Sequence, residues 1–368
     1  MKIALVVPGG VDRTGSERVI PVLLWLIERL VRAGDEVHAF ALNQEPEPGR
    51  WTLLGAAIHN AGRRPRRLRS LAALIREHRR DRFHVAHAFW AGAPGQVAAA
   101  FGAMTGVPVA VTLPGGDLAS LPDIGYGARL RRRSRIATAL VLSRADAIVV
   151  PSEWLADQAR AQGWLPIVCP FGVARDHWPP SAPRARPVGA PLRLIHVASL
   201  NRVKDPFGLL DAMRLLADRG VDFTLDMIGE DTLRGAVQRH CRALRLEEQV
   251  RFHPFLATRA LRSRLDEADL MVMNSRHEGA PVAMLEAAVA GVPTVGTAVG
   301  NIADWAPEAA VAVPVRDPAA LAQAIARLAG NESDRLRLAQ AAHARAIAHD
   351  ADRYAERVRA LYADLAAR

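Results

Sequence analysis

Short apolar runs alternate with longer amphipathic segments along almost the whole chain, and this alternation restricts the fold more than any other feature. The runs in the first half are IALVV, VHAFAL, FHVAHAF, VPVAVTL and AIVVP, and those in the second half are LRLIHVASL, FTLDMIG, VRFHPF, DLMVMNS and VPTVGT. Stretches long enough for a helix separate most of them. Buried strands that alternate with helices form parallel sheets covered by helices on both faces. The pattern therefore predicts an α/β protein.

A proline-rich stretch, RDHWPPSAPRARPVGAP, separates the two sets of strands. It can form neither a helix nor a central strand, so we interpret residues 176–191 as a linker. A chain of 368 residues can bury two cores. We predict a doubly wound domain at residues 1–175 and a second one at residues 192–368. The two are expected to face each other across a cleft, and the last helix could pack back on the first domain.

The balance of charge indicates an anionic ligand or partner. Lysine and arginine number 48 against 38 acidic residues, a formal net charge of +10, and Lys2 and Lys204 are the only lysines. Phosphate groups, nucleic acid and a membrane surface all fit such an excess. Nucleic acid fits least well, because aromatic residues make up 5% of the chain and none lies among the arginine runs.

Cysteine content and hydropathy predict a cytoplasmic protein. The two cysteines lack metal-ligand spacing, which is typical of a reducing compartment. The first apolar run stops at Pro8 and is too short for a signal-peptide core. Residues 91–116 carry no charge, but prolines and glycines divide them into a helix and a strand rather than a membrane span.

Two arginine runs in the first domain leave open where in the cytoplasm the protein lies. They comprise Arg63, Arg64, Arg66, Arg67 and Arg69, and Arg129, Arg131, Arg132, Arg133 and Arg135. Each run is either a solvated helix face or a surface that docks on an anionic membrane. The second interpretation would make the protein peripheral on the inner face of the membrane.

The stretch SRHEGAPVAMLEAAVAGVP contains two acids in surroundings that favour burial. Glu278 follows a predicted strand, and Glu286 lies within an apolar helix in which Pro281 is expected in the first turn. A helical rise of about 1.5 Å per residue would separate the two carboxylates by about 12 Å on one face. That spacing suits a ligand with hydroxyls at both ends and negative charge between them, such as a nucleotide-sugar. Two exposed glutamates on a surface helix are the alternative.

Charged and flexible residues also follow other strands of the second domain. In open parallel sheets, ligands bind beyond the carboxyl ends of the strands, near helix N-termini. SLNRVKDP places Arg202 and Lys204 there, where cations could neutralise a diphosphate, although a solvated basic loop would look the same. MIGED places Gly229 at the end of the next strand, where the acids after it favour a helix N-terminus.

The first domain offers weaker candidates. TGSERV contains Gly15 and Ser16 after the first strand, and Thr14 with Glu17 fits a capping box as well as a backbone anion site. PGGD brings Asp117 to the end of another strand. His87 is more often a packed residue than a catalyst. No G-x-G-x-x-G is present, so a dinucleotide-dependent dehydrogenase is not expected.

Taken in order, these motifs resemble the retaining glycosyltransferases of family four, whose two-Rossmann-domain architecture is called GT-B. EGAPVAMLE fits their E-x7-E signature, followed by GVP and VGNI, and SLNRVKD resembles their phosphate-binding loop. GSER and FGVARDHW extend the resemblance over nearly the whole chain. It is most specific from Leu194 to Ile302.

The resemblance implies roles for individual residues. Glu278 would hold sugar hydroxyls and Glu286 the ribose, while Arg202 and Lys204 would bind the diphosphate. Backbone at Gly279, Ala280 and Gly229 would approach the donor, and Gly15, Ser16, Asp117 and His87 would lie on the acceptor or phosphate side. The family needs neither a metal nor another cofactor, and the nucleoside-diphosphate-sugar is a co-substrate. Lipid-linked or glycan acceptors, and roles in cell-surface glycan, glycolipid or natural-product biosynthesis, are typical.

Two positions depart from the family pattern. Many members have histidine where this chain has Pro114, and arginine where it has Ser199. Arg202 could substitute for that arginine. Loss of the histidine leaves an alternative open, namely a catalytically inactive relative that binds nucleotide-sugars as a regulatory module.

Overall fold

The computed structural model describes all 368 residues, and the chain folds into two compact units. The first unit contains residues 1–172 and 351–368, and the second contains residues 173–350. The predicted division placed residues 1–175 in one domain and 192–368 in the other. In the structure, the last helix lies with the first unit, and the predicted linker lies within the second.

The first unit is built on an eight-stranded sheet. Its strands are β1 (Lys2–Val7), β2 (Glu36–Ala41), β3 (Gly49–Leu53), β4 (Ala56–Asn60), β5 (Val85–Phe89), β6 (Val109–Thr112), β7 (Ala147–Val150) and β8 (Pro166–Val168). They lie in the order β3-β4-β2-β1-β5-β6-β7-β8, and every pairing is parallel except that of β3 with β4. β1 is buried along its whole length, as expected of a central strand covered on both faces.

Five helices connect these strands: α1 (Pro21–Arg32), α2 (Arg66–Arg80), α3 (Ala93–Thr105), α4 (Arg132–Leu142) and α5 (Glu153–Arg160). Short 3₁₀ turns occupy residues 122–124 and 128–130. In α2, Ser70, Leu74 and Glu77 are the buried positions, at the three- and four-residue spacing of one helix face. The arginines of this helix therefore lie mostly in solvent.

The second unit has a six-stranded sheet in which every pairing is parallel. Its strands are β9 (Leu192–Val197), β10 (Phe223–Ile228), β11 (Val250–His253), β12 (Leu270–Met273), β13 (Thr294–Thr297) and β14 (Ala310–Val313). Its helices are α6 (Pro206–Asp218), α7 (Ala236–Ala243), α8 (Thr258–Glu267), α9 (Val282–Val289), α10 (Asn301–Trp305), α11 (Pro318–Ala329) and α12 (Glu332–Ala348).

Strand order determines where a ligand can bind in each unit. The second sheet runs β11-β10-β9-β12-β13-β14, so the direction of winding reverses between β9 and β12. In the first sheet it reverses between β1 and β5. At such a reversal the loops after the two strands diverge and leave a crevice, which is where doubly wound sheets bind ligands.

The predicted linker is a fixed part of the second unit. Arg184 donates to the carbonyl oxygens of Asp266 at 3.0 Å and Ala268 at 2.9 Å, at the end of α8. The Ser181 amide donates to Val289 O at 3.0 Å, at the end of α9. Carbonyls at helix C-termini lack partners within the helix, and this proline-rich segment supplies them. The prediction of a linker is therefore wrong, although the absence of helix and strand from the segment was expected.

The last helix, α13 (Ala351–Ala366), packs on α1. Arg359 donates to Asp35 at 2.6 Å, and Arg29 donates to Asp352 at 3.1 Å. These ion pairs join the end of the chain to the first unit. None of the helices combines the length and the hydropathy that crossing a membrane requires.

Candidate functional site

The strand-order reversal of the second unit brings two predicted residues into contact. Lys204, in the loop after β9, forms an ion pair with Glu278, in the loop after β12. Ser275 Oγ donates to the same Glu278 oxygen at 2.7 Å. The side chains of Lys204 and Glu278 are 22% and 11% exposed, so water screens the pair weakly. A cation and an anion thus lie together where this fold binds ligands.

The loop after β9 is held by a side chain that was not predicted, and a backbone hydrogen bond joins it to the loop after β12. Asn201 Oδ1 accepts hydrogen bonds from the amides of Val203 and Lys204, both at 3.1 Å. The Arg276 amide donates to Val203 O at 2.7 Å and links the two loops. Asparagine that bonds its own backbone two residues ahead is a common turn signal, so the sequence N-R-V-K could have shown Asn201.

The start of α6 is fixed to the same loops. Asp205 accepts from the Gly208 amide at 3.2 Å as the N-cap, and Asn274 Nδ2 donates to Asp205 O at 3.1 Å. A Cβ on Gly208 would lie 2.8 Å from Asn274 Nδ2, so glycine is required for this approach. Burial raises the pKa of Asp205. Lys204 is therefore attached to a rigid helix start.

His196 on β9 is fully buried, close to the charged pair, and was not predicted. Its Nδ1 lies 2.9 Å from Val272 O, which fixes the proton on Nδ1. Burial lowers the pKa of His196 to about 4, so the ring is neutral at physiological pH. Its Nε2 is a buried acceptor without a hydrogen-bond partner. Nothing in the alternation of a buried strand distinguishes this histidine from a packing residue.

Glu286 lies inside α9 and is 7% exposed. Burial alone raises the pKa of Glu286 to about 8, with no hydrogen bond or neighbouring cation acting against it. A buried carboxyl without partners is costly, and hydroxyl groups of a ligand would offset that cost. The interpretation of Glu286 as a surface glutamate is therefore wrong.

The helix begins later than expected. Pro281 is the N-cap of α9, and Val282 is its first residue. Residues 278–281 are not helical. The estimate of about 12 Å between the two carboxylates assumed a continuous helix, so it does not apply.

Gly279 and Ala280 are buried and pack against the VGNI segment. Gly300 has a φ of +53°, and a Cβ there would lie 2.6 Å from Gly279 O. Thr297 Oγ1 donates to Ser275 O at 2.6 Å from the end of β13. The loop that carries Glu278 is therefore held between β12 and β13.

Gly229 directly follows β10, beside the loop of Lys204. A Cβ on it would lie 2.1 Å from Ala198 O, and its φ is +150°, so no other residue fits. A pocket opens here beyond the ends of β10 and β11. It is lined by Leu200, Gly229, Glu230, Asp231, Gln238, Phe252, His253, Pro254 and Phe255. Arg202 lies exposed in the adjoining loop.

In the first unit, Asp117 lies at the carboxyl end of the sheet, as predicted from PGGD. Its Oδ1 accepts from the Ala91 amide at 3.0 Å, and its Oδ2 is buried without a partner. Burial raises the pKa of Asp117 to about 7, against the opposing effect of the Ala91 hydrogen bond. Asp117 thus joins the loops after β5 and β6, with one oxygen unused.

His87 does not reach a ligand site. It is fully buried, with Nδ1 2.6 Å from the Tyr362 hydroxyl and Nε2 2.7 Å from Thr112 Oγ1. Burial lowers the pKa of His87 to about 3. Both ring nitrogens are occupied in the core between β5, β6 and α13. Its assignment to the acceptor side is therefore wrong.

Gly15 and Ser16 form a turn rather than a helix start. The Asp12 carboxylate accepts from Thr14 N at 3.1 Å and from Thr14 Oγ1 at 2.7 Å. Gly15 has a φ of +67°, and Ser16 is exposed. The first helix begins later, at Pro21 with Ile20 as its N-cap, so the predicted capping box is wrong. The turn follows β1, at the reversal of the first sheet.

Comparisons with known proteins agree with this geometry. The model "Glycosyl transferases group 1" matches residues 184–345, and "Glycosyl transferase 4-like domain" matches residues 19–170. A putative colanic acid biosynthesis glycosyltransferase, WcaL of Escherichia coli, is 31% identical over 41% of this chain and 40% of its own length. The glycogen synthase of Mycobacterium tuberculosis is 26% identical over 86% of this chain and 75% of its own. The WcaL match thus spans well under half of that relative.

Solved structures share the fold at low identity. Sucrose-phosphate synthase of Thermosynechococcus elongatus superposes with a TM-score of 0.85 at 18% identity, covering 100% of both chains. Anabaena HepE in complex with UDP-glucose gives 0.77 at 16%, covering 99% of this chain and 100% of its own. The two family models lie side by side over most of the chain, and both sheets have the doubly wound order. The chain therefore belongs to the glycosyl transferases of group 1, with a glycosyl transferase 4-like first half, and has the GT-B fold.

Proposed function

We propose that this protein is a retaining glycosyltransferase that moves a sugar from a nucleoside-diphosphate donor to a hydroxyl acceptor. The observation that carries the proposal is the ion pair between Lys204 and Glu278 at the β9–β12 reversal. Beyond it, Glu286 is a buried carboxyl without protein partners. One cation and two carboxylates thus match the diphosphate and the two hydroxyl-bearing parts, sugar and ribose, of a nucleotide-sugar.

In the proposed reaction, the bond between the sugar's anomeric carbon and the diphosphate breaks while a bond to the acceptor oxygen forms on the same face. The acceptor's proton passes to the leaving phosphate oxygen. Lys204 stabilises the charge that develops on the diphosphate, and Arg202 adds to the field from the same loop. Glu278 accepts hydrogen bonds from sugar hydroxyls. This scheme assigns no proton-accepting side chain and no metal ion.

The remaining parts of the donor fit the neighbouring loops. Glu286 accepts hydrogen bonds from the ribose, and the pocket beyond β10 and β11 takes the base between apolar side chains that include Phe255, 63% exposed. The HepE complex with UDP-glucose supports a uridine nucleotide as donor. Buried amides at Gly279 and Ala280 lie beside the sugar.

We place the reaction in the synthesis of a cell-surface glycan at the cytoplasmic face of a membrane. Relatives named for colanic acid and amylovoran biosynthesis support a glycan acceptor. On α4, Ile136 and Leu140 are 57% and 53% exposed, next to the second arginine run. Exposed apolar side chains among arginines suit the interface of an anionic membrane.

Thermal denaturation in the presence of UDP, GDP, ADP and their sugar conjugates tests the donor site. We expect stabilisation by one nucleotide family, which Glu286→Ala abolishes and Glu278→Ala leaves largely intact while turnover falls. If both variants bind the nucleotide and turn over the donor as the natural protein does, the proposed site is ruled out.

A non-catalytic nucleotide-sugar-binding module is the second candidate. Pro114, half-buried just after β6, can neither donate a hydrogen bond nor transfer a proton, whereas the family resemblance implies a histidine at this position. Donor binding without transfer to any acceptor and without slow donor hydrolysis would favour this candidate. Release of free sugar from the donor would favour the enzyme.

A further inference from the structure

A cavity with several basic side chains in its lining lies in the first unit, away from the β1–β5 reversal. It opens between the β3–β4 edge of the sheet and α2, with a volume of about 390 Å³. Arg50 from β3, His59 from β4, and Arg69, Ser70 and Arg76 from α2 are among the residues that line it. None of them has a role in the proposed glycosyl transfer.

The cavity is positively charged. Glu77 is the carboxylate beside it, and Arg50, Arg80 and Arg76 approach one Glu77 oxygen at 3.3, 3.3 and 4.0 Å. One buried acid therefore faces three arginines, and Arg69 adds a fourth at the helix start. Glu77 holds Arg50 in place but leaves most of this charge uncompensated.

Two buried polar atoms at the cavity lack hydrogen-bond partners. They are His59 Nδ1 and Ser70 Oγ, on residues that are 5% and 2% exposed. His59 Nε2 lies 3.0 Å from His38 Nδ1, and His38 Nε2 lies 2.8 Å from Glu36. Glu36 is held ionised because the hydrogen bond from His38 lowers its pKa. When His38 Nε2 donates its hydrogen to Glu36, His38 Nδ1 accepts a hydrogen bond from His59 Nε2. His59 Nδ1 is then an acceptor that receives no hydrogen bond.

We propose that this cavity binds a phosphate monoester. The arginines donate to its ionised oxygens, as guanidinium groups do in phosphate sites, and the Ser70 hydroxyl supplies a further donor. Near neutral pH a phosphate monoester retains one P–O–H in part of its population, because its second pKa is about 6. That hydrogen meets His59 Nδ1. Carboxylates and sulfates have no such hydrogen, so the cavity distinguishes phosphate from other anions.

Calorimetric titration of the full chain with glycerol 3-phosphate at constant ionic strength tests the proposal. A Lys204→Ala background keeps the ligand from the loop that we assign to the diphosphate donor. We expect Arg76→Gln to weaken binding by about tenfold, since it removes a charged hydrogen bond, and Ser70→Ala by several fold. Ser70→Ala removes a hydroxyl that has no partner, so its effect cannot come from unfolding.

Arg79→Gln is the matched control, because Arg79 is exposed on the same helix and does not line the cavity. The Arg79→Gln variant should bind glycerol 3-phosphate with the same affinity as the Lys204→Ala background. Equal losses in Arg76→Gln and Arg79→Gln would show a diffuse charge effect and overturn the proposal. So would unchanged affinity in Arg76→Gln and Ser70→Ala, or binding of inorganic sulfate as tight as that of the phosphate ester.

The phosphate could belong to a soluble ester or to a lipid headgroup, and Leu68, 68% exposed beside Arg69, makes the second source testable. Vesicles of phosphatidylcholine with phosphatidic acid provide the lipid arm. If Arg76→Gln binds these vesicles more weakly than Arg79→Gln does, the ligand of the cavity is the lipid headgroup. A difference confined to glycerol 3-phosphate assigns it to a soluble ester. No difference in either arm overturns the site.

Discussion

The two sheets reverse their winding in the same way but present different chemistry at the reversal. In the second unit, the loops after β9 and β12 bring a lysine and a glutamate into contact. In the first unit, the loops after β1 and β5 carry a turn at Gly15 and a backbone amide bound by Asp117. The shared scaffold therefore fixes where a ligand binds, while the loop residues determine which ligand it is.

The buried acids of the two units sharpen this contrast. Glu286 accepts no hydrogen bond from the protein, and burial raises its pKa to about 8. Asp117 accepts one from Ala91, and burial raises its pKa to about 7. Both oxygens of Glu286 thus remain available to a ligand, whereas one oxygen of Asp117 already fixes loop structure and only Oδ2 is without a partner.

Lys204→Ala should have the largest effect, because it removes the cation assigned to the leaving diphosphate. We expect kcat to fall on the order of 10²–10³-fold, as for the loss of a group that stabilises transition-state charge. Lys204→Arg keeps the charge and should retain more activity. Steady-state kinetics with the donor found by thermal shift would measure both. An unchanged kcat in Lys204→Ala would contradict the assignment of Lys204 to the leaving diphosphate. It would also remove the chemical difference between the two strand-order reversals.

Glu286→Gln should weaken nucleotide binding by about tenfold, since a neutral amide replaces a carboxylate that receives ribose hydroxyls. Isothermal calorimetry at pH 8 and above compares the variant with the natural protein. Kd should change more than kcat. Unchanged Kd would show that Glu286, like Asp117, serves the fold alone.

The same substitution has a defined effect on stability. The folded protein holds a proton on Glu286 up to a pH of about 8, whereas the unfolded chain releases it near 4.5. The stabilisation is therefore complete below 4.5 and is lost as the pH rises through 8. Glu286→Gln should remove this loss, which is on the order of a few kcal/mol. Urea unfolding between pH 5 and 9 measures it.

Sequence patterns predicted the central strands and the residues of the second site because both are local signals. Glu278, Lys204 and Glu286 lie in short motifs next to apolar runs. The edge strands β3 and β8 were missed because edge strands need no apolar run: β3 alternates, and β8 has three residues. β4 was missed because its five residues end in the polar pair His59 and Asn60. β14 was missed as well.

Errors arose where a distant residue determines the environment. His87 looks available from its neighbours in sequence, but Tyr362, 275 residues later, occupies its Nδ1. Thr14 fits a capping box, but Asp12 takes its hydroxyl and amide. His196 and Asn274 owe their importance to contacts 76 and 69 residues away in the chain. Such pairings follow from strand order, which no local pattern encodes.

Asp117→Asn should have a smaller effect, confined to stability if the first unit's acid is structural. The folded protein retains the Asp117 proton up to a pH of about 7, and the unfolded chain releases it near 3.8. The natural protein should therefore lose stability as the pH rises between these values, on the order of a few kcal/mol. The asparagine variant should lose less, with KM for the acceptor unchanged. A large rise in the KM for the acceptor would instead show that Asp117 binds the acceptor at the β1–β5 reversal.

Arg202→Ala should have the smallest effect, because Arg202 is exposed while Lys204 is largely shielded. An exposed cation acts through water, so its contribution is modest and screened by salt. We expect kcat/KM to fall about threefold at low ionic strength and less at 0.5 M salt, whereas the Lys204→Ala loss should persist in both. Parallel kinetics at the two salt concentrations compare them. A loss in Arg202→Ala that is as large as that in Lys204→Ala and insensitive to salt would mean that Arg202 turns inward when the donor binds. Arg202 would then take the role that the family resemblance implies for an arginine at the position of Ser199.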